Sequence, residues 1–311
     1  MALRVWLWLL SLTVLWGGSF FFAKVALGEL GPFTVAFARV SLAALALALV
    51  VPLRRDAPWR TYFAMGFLNN ALPFCLIFWG QTEIAVGLAS IINATTPLFT
   101  LLVAHVLTPD EKIDRTKTTA LLTGLLGVIV LIGPDALIAG SALWAQLACL
   151  GAALSYALAG VYGRRFRRMG ITPAEAAAGQ VTASAVLILP IMLVVDQPWT
   201  LSAPPSLAVS LALAGLALLS TALAYVLYFR ILAAAGATNL LLVTLLIPVP
   251  ATLLGTAVLG EQLEPRQFAG MAPDRAWTGA DRRPHDRPAA GREIAAGRHN
   301  CASGGGLLGC P

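Results

Sequence analysis

Residues able to do chemistry are scarce in this 311-residue chain, and most of them sit inside long apolar runs. Arg39 lies seven residues beyond Pro32, which places it about 10 Å along a helix rising 1.5 Å per residue. An ionisable group inside an apolar span is expensive and is a functional candidate for that reason. Arg39 can face a central cavity and hold an anionic substrate group or a carboxylate partner, or it can snorkel to the membrane surface; both readings stand. Lys24 is nearer the end of its run, where snorkelling is the simpler role. Asn93, Thr96 and Thr100 share a helix face beside Pro97, and Thr244, Pro248 and Thr252 recur every four residues. A proline inside a helix frees a carbonyl, which is tolerated where neighbours or a water-lined cavity satisfy it. Two such breaks at matching places are a sequence pointer to a transport site, with ordinary kinking and hydroxyl packing as the alternative. Asn69, Asn70, Gln180, Tyr156, Tyr225 and Tyr228 are secondary candidates, able to orient a substrate or merely to bond across helices. Trp16 can stack on a substrate or pack as aromatic residues usually do. His105 falls near a run's end, and Glu111 and Glu261 flank helix ends, where capping is the natural role.

Other chemistries lack their residues. A hydrolase needs a nucleophile with a base, or a metal with spaced ligands. The chain has no His-Glu-x-x-His helix, no Gly-x-Ser-x-Gly elbow, no paired carboxylates inside a run and no phosphate-cradling P-loop. An intramembrane enzyme is therefore the weaker alternative, and no cofactor or metal is expected. Cys75 and Cys149 fall in apolar runs while Cys301 and Cys310 lie in a polar tail, so no disulfide framework emerges.

The elements that must position these residues are membrane helices. Apolar residues make up 58% of the chain and charged residues 12%, about half the charged share of a soluble domain. Nine stretches of spanning length run near 5–27, 31–52, 61–81, 84–107, 116–133, 141–163, 173–195, 206–229 and 236–259. They are too long and too evenly apolar for barrel strands, which leaves helices. The first continues through Trp16-Gly17-Gly18 without a cleavage site and reads as a retained helix. Arginines and lysines alternate between loops. Arg54, Arg55 and Arg60, then Lys112, Arg115 and Lys117, then Arg164, Arg165, Arg167 and Arg168, and finally Arg230 fall on one side. Glu29, Glu83, Asp135 and Asp196 fall on the other, with Arg266 as an exception. This pattern predicts a cytoplasmic N-terminus and a multi-pass protein of a bacterial inner membrane. It also accounts for the net charge of +6 without nucleic acid. Gly151, Ser155, Ala159 and Gly163 form a stripe that lets another helix approach closely.

The second half echoes the first. Pro32 aligns with Pro173 and Arg39 with Gln180, and Pro97 with Glu111 finds its counterpart in Pro248 with Glu261. Five helices per repeat, an odd number, would invert the second copy in the membrane, as many secondary transporters do. Trp16-Gly17-Gly18-Ser19-Phe20 with Lys24, Arg39, Pro97 with Glu111, and Pro248 with Gly260-Glu261 together resemble the EamA family of the drug/metabolite transporter superfamily, over roughly residues 5–270. That resemblance implies an all-α membrane bundle of two inverted five-helix repeats, both termini cytoplasmic, and movement of small metabolites or drugs, often outward. Residues 1–135 then form the first repeat and 136–270 the second. A small-molecule substrate and the lipid bilayer are the expected partners, with proton coupling and a homodimer left open.

The expected tenth helix is missing. It should begin near Arg266, but residues 271–311 carry ten charged residues, seven Gly, four Pro and no spanning run. The chain has 18 Arg and 3 Lys, as a GC-rich gene gives, so a frameshift near codon 271 is the preferred explanation and a natural disordered tail the alternative. An inactive truncated transporter is the corresponding second reading of function.

Overall fold

The structure is a computed structural model, and it describes residues 3–52, 56–108, 118–119, 122–123, 126–127 and 140–262. The fifth expected stretch, 116–133, therefore falls almost wholly outside the described residues. So do Arg54, Arg55, Glu111, Lys112, Arg115, Lys117, Asp135, Arg266 and the tail.

The other expected stretches form eight helical runs, six of which are long and apolar enough to cross a membrane. Helix α1 is Leu3–Leu27 and α2 is Pro32–Ala48. Proline at the first position of α2 lacks only an N–H that a helix start leaves unpaired anyway. Helix α3, Trp59–Glu83, contains a π-helical segment at Phe67–Ala71. Helix α4, Val86–Leu107, is interrupted at residues 94–95. Helix α5 is Gly140–Arg168, with Arg165, Arg167 and Arg168 in its last turn, where cations favour the negative end of the helix dipole. Helix α6, Pro173–Asp196, starts with a capping box between Thr172 and Glu175 and ends in a π segment, Met192–Asp196. Helix α7 joins three helical stretches, Leu207–Ala214, a π segment Gly215–Leu223, and Ala224–Leu246. Helix α8 is Pro248–Leu259, closed by Gly260 at φ 67° in the left-handed region that glycine enters freely.

Two expectations need correction. Pro97 and Pro248 do not lie inside helices; each stands at the start of one, as α4 restarts at Thr96 and α8 begins at Pro248. A proline cannot supply the N–H that would continue the preceding turn, so the chain breaks instead of kinking. The loop expected between 229 and 236 is also absent. The backbone stays helical through Leu232-Ala233-Ala234-Ala235, all good helix formers, and the break moves to Ile247.

The halves interleave. Helix α1 packs on α7 and α8, α2 on α6 and α7, α3 on α5 and α6, and α4 on α5 and α8. Nearly every major contact thus joins the first half of the chain to the second. The small-residue stripe on α5 serves this packing: Ser155 and Ala159 are buried, and Gly151 faces Leu76 of α3. Gly17 is needed where α1 meets the start of α8, since a Cβ there would fall 2.4 Å from Cγ of Pro250 and 2.9 Å from the carbonyl oxygen of Ile247.

A candidate transport site between the halves

Arg39 does not snorkel. Helix α2 carries it into the seam between the halves, and the residue is 7% exposed. Its Nε donates to Thr221 Oγ1 of α7 at 3.0 Å, and the guanidinium carbon lies 3.9 Å from the ring centroid of Phe74 and 5.9 Å from that of Phe78 on α3. An arginine at the centre of a membrane helix costs about 3 kcal/mol on insertion scales. A desolvated cation–π contact of about 2 kcal/mol and a charged hydrogen bond of about 2 kcal/mol offset that cost. They leave the charge itself unneutralised. Among the described residues no carboxylate pairs with Arg39, and the phenols of Tyr156 and Tyr225 are the titratable groups that act on it.

Beside the cation lies a closed ring of neutral polar groups. Asn69 Nδ2 donates to Gln180 Oε1 at 3.1 Å, and Gln180 Nε2 donates to Tyr225 Oη at 3.4 Å. Tyr225 Oη donates to Asn70 Oδ1 at 3.3 Å, and Asn70 Nδ2 donates to Ser184 Oγ at 3.1 Å. Ser184 returns the chain to the backbone through the carbonyl oxygen of Gln180 at 2.6 Å. The ring ties α3 to α6 and α7, which belong to opposite halves.

The π segments of α3 and α7 make this geometry. Each follows an eight-residue α-helical stretch, Trp59–Gly66 in one and Leu207–Ala214 in the other. A π turn slips the hydrogen-bond ladder by one residue, which frees carbonyls and re-aims side chains, and it recurs at functional sites. In α3 the segment holds Asn69 and Asn70, and the carbonyl of Leu68 accepts from Ser155 Oγ of α5 at 2.6 Å. In α7 it holds Thr221, the partner of Arg39, whose hydroxyl donates to the carbonyl of Leu216 at 2.9 Å. The carbonyl of Leu15 on α1 accepts from Ser220 Oγ of the same segment.

Residues 3–133 and 143–273 each match the EamA-like transporter family. The chain belongs to that family. It is a multi-pass membrane transporter with two EamA repeats, and it is not an enzyme. It is 27% identical to "Uncharacterized transporter YoaV" of Bacillus subtilis over 84% of this chain and 90% of that protein. It is also 27% identical to "Uncharacterized inner membrane transporter YedA" of Escherichia coli K12, over 85% of each chain. It is 28% identical to the "Probable amino-acid metabolite efflux pump" of Salmonella typhimurium, over 84% of this chain and 89% of that one. A protein of known crystal structure, 21% identical, superposes with a TM-score of 0.61 over 90% of this chain and 95% of its own, which speaks for the shared fold.

Of the residues singled out in the sequence, this EamA transporter brings Arg39, Asn69, Tyr156, Gln180 and Tyr225 into one neighbourhood. Trp16 borders it through Tyr228, at 5.9 Å between ring centroids. Lys24 stands apart: its Nζ donates to the carbonyls of Gln81 at 2.6 Å and Ile84 at 3.1 Å, capping the end of α3 where carbonyls lack helical partners. Around the break in α4 the hydroxyls serve the local backbone, with Thr96 donating to the carbonyl of Asn93 at 2.7 Å and Thr100 to that of Thr96. Asn93 is buried and its Oδ1 accepts no hydrogen bond. Pro97 and Pro248 are buried at the starts of their helices, and Thr244 is half-buried on α7. Thr221 is not legible in the sequence, because nothing in its surroundings marks a π turn.

Proposed function

We propose that this protein is a secondary transporter of export type, carrying a small metabolite with an anionic group past Arg39 by alternating access. The observation that carries the reading is the buried guanidinium in the seam, held by Phe74 and Thr221 yet paired with no carboxylate among the described residues. A charge so placed stays costly until an anion arrives, and a substrate carboxylate is the group that fits two remaining guanidinium nitrogens bidentately. The aromatic wall of Phe74, Phe78, Tyr156 and Tyr225 suits an apolar body behind that carboxylate. The name of the Salmonella relative, an amino-acid metabolite efflux pump, is in keeping with such a substrate. In this reading the two halves are inverted five-helix repeats, and the equal placement of the π segments in α3 and α7 supports their equivalence. Trp16, Asn93, Thr96, Pro97, Thr244 and Pro248 line the route, and Lys24 braces its rim. The N-terminus is cytoplasmic.

The test is efflux from preloaded membrane vesicles of radiolabelled phenylalanine, N-acetylphenylalanine and phenylalaninamide, which share a ring but differ in charge. The carboxylate-bearing pair is exported and the amide is not. Arg39→Gln abolishes the difference, losing at least tenfold in rate. Export of the amide equal to that of the acids overturns the reading. The change in composition after Gly270 further supports a shifted reading frame. Translating the gene in all three frames from codon 260 tests it, and the efflux assays use the repaired gene if a tenth apolar run emerges.

A further inference from the structure

Three carboxylates at one end of the bundle each grip the start of a helix belonging to the other half. Asp196, closing α6, accepts from the backbone N–H of Thr34 in the first turn of α2. Glu261, just past α8, accepts from the N–H groups of Val86 at 2.9 Å and Gly87 at 3.4 Å, the first two residues of α4. Glu29, just past α1, accepts at 2.7 Å from the N–H of Ser206, which itself caps α7. The pairs lie 162, 175 and 177 residues apart in sequence, so none is a local turn. All three occur at the end where α1, α3, α6 and α8 finish and where α2, α4 and α7 begin. The first N–H groups of a helix lack intrahelical partners and carry the positive end of its dipole. A carboxylate from the opposite half satisfies both, and does so only while the halves are closed together at this end.

Lys24 adds a brace, since it caps α3 within the first half and lies in the electrostatic field of Glu261 and Glu83. Among the described residues, the contacts at the opposite end include Tyr62 of α3 stacked on Phe166 of α5 with 5.8 Å between ring centroids.

We infer that Glu29, Asp196 and Glu261 form a gate that holds this end of the transporter shut, and that opening it requires all three helix starts to be released at once. The inference rests on the alternating access proposed above but not on substrate or direction. Each clasp, at the strength of an ordinary helix cap, shifts the closed-to-open ratio roughly fivefold, and the three together about a hundredfold.

Spin-label distances across the seam test this with no substrate present. In the full chain lacking its four native cysteines, one labelled pair, Thr82→Cys with Ser202→Cys, spans the gated end. A second pair, Arg60→Cys with Arg167→Cys, spans the other; all four positions are exposed. The unaltered gate gives a single short distance at the first pair. The triple substitution Glu29→Gln, Asp196→Asn and Glu261→Gln, which removes the charges and keeps the shapes, yields a second, longer population there. Each single substitution gives a smaller fraction of it. An unchanged first distance overturns the gate. So does lengthening of both pairs together, which means the bundle has merely loosened. Loss of export in Arg39→Gln with intact gate distances separates failure of the site from failure of the gate.

Discussion

The contacts described at the two ends of the bundle include different kinds of physics. At one end the halves meet through carboxylates on helix N-termini, contacts that are directional and tolerate water. At the other, Tyr62 is 2% exposed between Phe166, Trp59, Ile171 and Ala176, and Gly179 lets its ring lie against α6, since a Cβ there would come within 2.5 Å of it. A polar clasp loses its partner abruptly as helices part and is replaced by water at little cost. An aromatic contact gives way only by exposing area. The difference argues that the ends do not open with equal ease.

The largest expected effect is therefore at the aromatic end. Tyr62→Ala removes a fully buried ring and costs about 3 kcal/mol, read as a lowered unfolding temperature of the detergent-solubilised protein. Tyr62→Phe keeps the ring and recovers most of that loss. If Tyr62→Ala costs no more than neutralising one carboxylate, the contrast between the ends collapses.

Which parts of this arrangement can be read without a structure follows from how far apart the partners are. The membrane helices, the halves and Arg39 are legible because apolar run length and a lone charge are local signals. The π segments are not. Phe67-Leu68-Asn69-Asn70-Ala71 reads as ordinary helix, and the slip in its ladder is sustained by Ser155, 87 residues away. Glu261 is legible as a capping residue but not as the cap of α4, whose first two residues precede it by 175 and 174 positions. The boundary near Gly236 fails for a third reason: one glycine in an alanine-rich stretch costs only about 1 kcal/mol, too little to end a helix.

A smaller effect separates geometry from charge at the gated end. Gly255 of α8 lies against Glu261, and a Cβ there would meet Oε2 at 2.5 Å. Gly255→Ala leaves every charge in place but swings the carboxylate off Val86 and Gly87, costing about 1 kcal/mol. It should reproduce the lengthened gate distance of Glu261→Gln. If the charge-neutral variant opens the gate and Gly255→Ala does not, long-range attraction to Lys24 matters more than the hydrogen bonds to α4.

The smallest effect is a dependence on pH, and it belongs to Glu29. This carboxyl is solvent-exposed, and its hydrogen bonds with the Ser206 side chain and backbone hold it below the usual carboxylate range. A group whose folded pKa is depressed favours the folded contact above its unfolded pKa and loses that contribution as pH falls through the lowered value. Closure at the Glu29 clasp should thus be constant from neutral pH down to about 4.3, the ordinary glutamate value, and weaken only below it. Gate distances measured against pH in the wild type and in Glu29→Gln check this: the Gln variant lacks the acid-limb change attributable to Glu29. A wild-type gate that loosens between pH 7 and 6, and does so equally in Glu29→Gln, overturns the assignment of its pH dependence to Glu29.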